Sequence, residues 1–293
     1  MITVESATMP DTAVVLGTAQ DGGVPQAGCG CVMCEKAQGT AGFVRRPSCL
    51  GLIDGVTGSR WMIDATPQFP SQLSELSRVD GAADSGSLDG ILLTHAHVGH
   101  YTGLLHLGQE VMCGHEVPVW AMPRMAEFLE ANEPWASLLA RRHLLLKDMS
   151  AGTPVTLGER ITVRPLPVPH RDEFSETVAF EIAGASRRVL WLPDIDAWEG
   201  RLSEWVAGVD VAWLDGTFYS DSELPGRQLD QVPHPRISDH LAEYGRLANQ
   251  VGVDVRLIHL NHSNPACDPN SPEARRISDA GVRVASEGER VAL

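Results

Sequence analysis

The stretch that decides how this chain reads is Thr94-His95-Ala96-His97-Val98-Gly99-His100-Tyr101-Thr102-Gly103-Leu104, which places three histidines within six residues. It follows the apolar run Gly90-Ile91-Leu92-Leu93, which predicts a buried strand, with a helix starting near Gly103-Leu104-Leu105. On an extended backbone His95 and His97, two apart, point the same way. His100, at the turn into the helix, is placed to swing back toward the same point. Neutral imidazole is the commonest ligand of borderline divalent metals, so the trio reads as half of a metal site.

Further polar residues recur just after apolar runs. His170 follows Pro165-Leu166-Pro167-Val168-Pro169, and Asp194 follows Val189-Leu190-Trp191-Leu192-Pro193. Asp215 follows Val211-Ala212-Trp213-Leu214, and His259 follows Arg256-Leu257-Ile258. Strand ends line the crevice where layered α/β folds bind ligands, so the four join the trio in one shared metal centre. An ion held by imidazoles lowers the pKa of bound water from 15.7 to about 7. A carboxylate reaching between two ions holds them ~3.5–4 Å apart, and Asp194 is the candidate bridge.

Along the chain, strands are expected at Thr12–Gly17, at 50–54 and 60–64 as a hairpin, and at 117–121, 161–168, 177–182, 188–192, 210–214 and 254–259. Helices are expected at 65–76, 125–130, 135–143, 238–250 (capped by Ser238) and 272–278. Ala19 to Ala41 reads as a long loop, as does the Gly- and Ser-rich 81–88. This alternation, with hairpins in two places, favours an α/β sandwich of mixed sheets. No repeat, linker or composition break divides the chain.

At 293 residues, 43% hydrophobic and 21% charged, the composition is that of a globular protein. A formal charge of -15 disfavours a phosphate backbone as partner and favours a small-molecule substrate. There is no export-signal pattern at the N-terminus, and no apolar stretch approaches the ~18–20 residues of a membrane span. A cytoplasmic protein that binds neither membrane nor nucleic acid is the expectation. The oligomeric state is left open, with a homodimer among the options. Cys29-Gly30-Cys31-Val32-Met33-Cys34 is a C-x-C-x-x-C cluster that suits zinc and needs a fourth ligand.

Together these residues resemble the metallo-β-lactamase superfamily: an early aspartate (Asp64), the histidine string, a mid-chain histidine, a bridging aspartate and a late histidine. The resemblance implies one domain over 1–293 with a four-layer αββα sandwich and a zinc-binding loop at about 19–41. By match, His95, His97 and His170 hold a first divalent ion, and His100 and His259 a second, with Asp194 bridging. Asp64 stands behind the ligands and orients them. The family string carries an aspartate where this chain has Gly99, which implies a second position short of one ligand and weakly filled.

The early loop is similar to that of a narrower branch, which includes the coenzyme PQQ biosynthesis protein B and the cyclic-phosphate phosphodiesterase of phosphonate breakdown. There the match assigns His262, in His259-Leu260-Asn261-His262, as fourth ligand of a structural zinc. In related phosphodiesterases an acid and a histidine protonate the leaving group, and Asp215 and His234 occupy comparable places. The implied activity is hydrolysis of a small ester or a phosphodiester, cyclic or not, by metal-bound hydroxide, with Zn²⁺, Mn²⁺ or Fe²⁺ in the active site. The alternatives are an iron-dependent redox enzyme of cofactor biosynthesis, like the PQQ protein, and a metal-binding protein without turnover. The remaining histidines (106, 115, 143 and 240) read as structural or exposed.

Overall fold

A computed structural model describes residues 9–79, 88–223 and 232–293. The first strands are β1 (Thr12–Gly17), β2 (Cys49–Ile53), β3 (Arg60–Ile63), β4 (Gly90–Leu92), β5 (Val117–Ala121) and β6 (Leu144–Asp148). They are followed by β7 (Val155–Leu157), β8 (Ile161–Pro167), β9 (Val178–Ala183), β10 (Arg188–Leu192), β11 (Val211–Asp215), β12 (Asp254–Ile258) and β13 (Arg283–Val284), before β14 (Arg290–Ala292) returns beside β1. Two seven-stranded sheets result, in the orders β14-β1-β2-β3-β4-β5-β6 and β13-β12-β11-β10-β9-β8-β7. In each, an antiparallel meander gives way to parallel pairing, at β3–β4 in the first sheet and at β10–β11 in the second. The sequence does not repeat, but the topology does.

The apolar runs are continuous because the strands are buried on both faces. Side chains alternate: Val15, Leu52 and Ile63 face Phe180, Trp191 and Trp213 across the gap between the sheets. The outward partners Val14, Leu16 and Ile91 pack under α2 (Phe69–Ser77), α4 (Pro123–Ala131) and α5 (Trp135–Ala140). Leu190, Leu192, Leu214 and Leu257 pack under α6 (Leu202–Trp205), α7 (Ile237–Arg246) and α8 (Pro272–Asp279). The layers run helix, sheet, sheet, helix, as expected.

The local differences have physical causes. The loop at 19–41 contains a helix, α1 (Val32–Gly39), which buries Met33, Cys34 and Ala37. Residues 144–148 and 155–157 are strands at the far edges of the sheets, where partial exposure thins the apolar signal. The string enters its helix early: α3 (Val98–Tyr101) already contains His100, and a 3-10 turn follows over Thr102–Leu107. Ser238 is not the cap of α7, which starts at Ile237 after an extended Arg236; its hydroxyl instead bonds Asp239. The loop read at 81–88 lies, apart from Leu88, outside the described residues. Among the described residues no helix is long and apolar enough to cross a membrane.

The inter-sheet core is what holds the two sheets in register. Phe180→Ala, at a fully buried position in that core, should cost about 3–5 kcal/mol in denaturant unfolding. Val56→Ala, in an exposed turn, should stay within ~0.5 kcal/mol.

Candidate metal centre

Strands β3, β4, β8, β10, β11 and β12 all point the same way within their sheets, so their C-terminal ends gather at one edge. Asp64 leaves β3, His95 and His97 leave β4, and His170 follows β8. Asp194, Asp215 and His259 sit at the ends of β10, β11 and β12. Asp64 (φ 70) and His259 (φ 64) both hold left-handed backbone, which aims their side chains back over the sheet edge. Such conformations cost of order 1–3 kcal/mol for a non-glycine residue and cluster at functional sites.

Four of the imidazoles are oriented from behind. Asp64 is fully buried and accepts from the Thr94 amide (2.8 Å), the Thr94 hydroxyl (3.0 Å) and His100 Nδ1 (2.7 Å). The Thr94 hydroxyl, its proton given to Asp64, accepts from His95 Nδ1 at 2.9 Å. His170 Nδ1 donates to Asp196 (2.8 Å) and His259 Nδ1 to the Thr217 hydroxyl (3.0 Å). These bonds fix the tautomer and leave Nε2 of His95, His100, His170 and His259 as bare lone pairs.

The lone pairs converge in two groups. His97 Nδ1 lies 2.9 Å from His95 Nε2 and 3.2 Å from His170 Nε2. Tetrahedral zinc with Zn–N of ~2.05 Å separates its nitrogens by ~3.3 Å, so the three fit the faces of one ion. Burial and the neighbouring imidazoles hold His95 well below its usual pKa, and burial with His170 brings His97 to about 4. Both are therefore neutral, as metal ligands must be.

Asp194 stands between the groups. Its Oδ2 is 3.1 Å from His100 Nε2, 3.2 Å from His259 Nε2 and 3.7 Å from His95 Nε2, while Oδ1 is 3.6 Å from His170 Nε2. Asp194 Oδ2 and His259 Nε2 are nevertheless buried without a hydrogen bond. Orphaned atoms of this kind are costly unless something satisfies them, and a cation between them does. The residues fit a metal.

Asp21 is the member that the sequence did not disclose. Its Oδ1 lies 3.3 Å from His100 Nε2 and 3.6 Å from His259 Nε2. A carboxylate brought by the loop after β1 thus stands beside His100 and His259, near the position where Gly99 carries none. Burial opposes charge on His100, but Asp64, Asp194 and Asp21 together raise its pKa well above the usual value.

The cysteine cluster closes on His262, whose Nδ1 is 3.5 Å from Cys29 Sγ and 3.4 Å from Cys31 Sγ. Cys34 completes the group, its Sγ accepting from the Gln26 amide. Tetrahedral zinc with ~2.3 Å Zn–S and ~2.05 Å Zn–N bonds spaces sulfur and nitrogen by ~3.5 Å. Asp215 accepts from the Ile195 and Thr217 amides and from His234 Nδ1 at 2.7 Å. His234, from the approach to α7, is buried beside the ligands, 4.0 Å from Asp194 Oδ1. Burial alone would lower its pKa; Asp215 outweighs that and raises it. Of the other histidines, His143 bonds the Gly114 carbonyl, His106 stacks on Phe69, and His115 and His240 lie against Glu116 and Glu243.

Asp64→Asn keeps the shape but weakens the charge that orients His100 and Thr94. It should lower active-site metal affinity ~10–100-fold in a chelator competition titration, and affinity equal to wild type would show that Asp64 does not act through the ligands.

A family model described as a beta-lactamase superfamily domain matches residues 59–260. The coenzyme PQQ synthesis protein B of Klebsiella pneumoniae (strain 342) is 26% identical over 305 residues, covering 95% of this chain and 97% of its own. The crystal structure of Zn²⁺-bound PqqB from Methylobacterium extorquens superimposes with a TM-score of 0.82 at 21% identity, covering 96% of this chain and 100% of that one. A diphosphatase from the PhnP family superimposes with a TM-score of 0.67 at 20% identity, covering 97% of each chain. These structural likenesses are likenesses of fold. With its two mixed sheets and the histidine and aspartate cluster at their common edge, the chain belongs to the beta-lactamase superfamily.

Proposed function

We propose that this protein is a metal-dependent hydrolase of a small ester or phosphodiester. The observation that carries the reading is the Asp215–His234 pair beside the ligand cluster. An imidazole backed by a buried carboxylate can hand a proton to a departing alkoxide, the step that ester and phosphodiester hydrolysis needs. A divalent ion bound by the histidines and Asp194 supplies Lewis acidity and makes water a nucleophile near neutral pH.

The chain's own residues do the rest. With Nδ1 committed to Asp215, the proton that His234 can deliver is on Nε2, and it goes to the leaving oxygen. Asp215, held by two backbone amides, stays in place as the imidazolium forms and is neutralised. Such general-acid assistance is worth ~10²–10⁴-fold. A cavity of about 460 Å³, lined by Gln20, Asp21, Phe218, Glu223 and Asn261 among others, opens beside the centre. Phe218 also packs against the His234 ring. A cavity in the ~300–1,000 Å³ range suits a small molecule, and the acidic chain favours one over a nucleic acid.

A second reading has its own support. The full-length likeness to PQQ synthesis protein B and the two-histidine, one-carboxylate group of Asp21, His100 and His259 suit non-haem iron and redox chemistry in cofactor biosynthesis.

Two measurements separate these. Under hydrolysis, the protein turns over bis-p-nitrophenyl phosphate and His97→Ala abolishes it; a wild type inert on esters, lactones and phosphodiesters, with iron and a visible absorption band, would favour the redox reading. His234→Ala should slow substrates with poor, alkoxide-like leaving groups ~10²–10⁴-fold and p-nitrophenolate release far less. Equal loss on both would remove His234 from the general-acid role.

A further inference from the structure

Residue 99 is where the string should carry a carboxylate, and its glycine is enforced sterically. A Cβ there would overlap the Asp21 carboxylate and come within 2.5 Å of the Asp21 Cα. The space belongs to the loop after β1. That loop is pinned beside the centre: the Gln20 amide donates to the Leu260 carbonyl (3.0 Å), and the Gly23 amide to the Gln20 carbonyl (2.8 Å), which puts Asp21 at the tip of a tight turn. Leu260 directly follows His259. The donor atoms of Asp21, His100 and His259 lie within 4.8 Å of one another.

The same loop runs on to the cysteine cluster. The Cys29 amide donates to the Gln26 carbonyl (3.1 Å) and the Gln26 amide to Cys34 Sγ (3.3 Å). The fourth donor, His262, lies three residues beyond His259 on the opposing strand end. An ion among Cys29, Cys31, Cys34 and His262 therefore clamps the Asp21 loop to the segment that carries a ligand of the active centre.

We propose that Asp21 is the carboxylate ligand of the second metal position, in place of the one residue 99 lacks, and that the cysteine-held ion sets the affinity of that position by fixing the Asp21 loop. This rests on the histidine cluster being a metal centre, as read above. A donor on a loop contributes fully only when the loop is already ordered, since otherwise binding must also order it. The coupling is local: the first position, built from His95, His97 and His170, has no donor on this loop.

The test counts metal rather than turnover. Full-length protein reconstituted with Co²⁺ reports the cysteine site by its thiolate-to-metal charge-transfer band, and metal analysis with chelator titration reports the others. Wild type should take up about three equivalents. Asp21→Asn, and Asp21→Gly as a second variant of the same turn, should lose about one equivalent, or weaken its binding at least ~10-fold, with the charge-transfer band intact. Cys31→Ser should lose that band, melt at a lower temperature, and weaken the second position by at least ~10-fold while the first position holds. Gly99→Asp should weaken the second position by displacing Asp21.

Wild-type stoichiometry and affinity in both Asp21 variants, or tighter binding in Gly99→Asp, would overturn the ligand assignment. An unchanged second position in Cys31→Ser would overturn the coupling. A wild type with no ion in the histidine cluster would remove the metal-centre reading itself, which sets that failure apart from the other two.

Discussion

Asp194 is buried among four imidazoles, with Asp21 and Asp64 close by on either side of His100. Burying carboxylates and bare ring nitrogens together is costly unless a cation neutralises them. Much of the surrounding structure serves that requirement. Thr94, Asp196 and Thr217 occupy the far nitrogens of the rings so that the near ones face inward. The left-handed turns at Asp64 and His259 aim donors that an ordinary strand exit would send elsewhere. A divalent ion would balance that charge while satisfying the orphaned Asp194 Oδ2 and His259 Nε2.

The centre is divided between the sheets. One sheet contributes Asp64, His95, His97 and His100; the other contributes His170, Asp194, Asp215 and His259. Their relative placement is therefore set by the apolar layer in which Val15, Leu52 and Ile63 meet Phe180, Trp191 and Trp213. This links core packing to chemistry: a mutation in that layer can shift one half of the ligand set against the other. Displacements of about 1 Å in catalytic groups cost ~10²-fold in rate. The cysteine cluster adds a third support, holding the loop after β1 over the seam between the two halves.

What could be read directly from the chain was whatever repeats a local rule. Ligands directly after apolar runs, histidines two and three apart, and a dense thiol cluster each carry their meaning within a few residues. The layered fold follows from runs buried on both faces. Asp21 could not be found that way, because Gln20-Asp21-Gly22-Gly23 reads as an ordinary turn and its role depends on a contact with residue 99. The signal was present in negative form: a glycine in the string implies that something else fills its space. Helix α1 was hidden among glycines and cysteines, and β6 and β7 by their exposure at the sheet edges. The assignment of His234 rested on resemblance, since nothing in Val232-Pro233-His234-Pro235 announces a partner 19 residues earlier at Asp215.

The most direct measurement is a crystal structure of the protein purified without added metal, with anomalous difference maps collected across the zinc, iron and manganese edges. The account expects one peak among Cys29, Cys31, Cys34 and His262, and two flanking Asp194. One of those two should be bound by His95, His97 and His170, and the other by His100, His259 and Asp21. A cluster with no anomalous peak beside Asp194, its imidazoles bonded only to water and to one another, would contradict it.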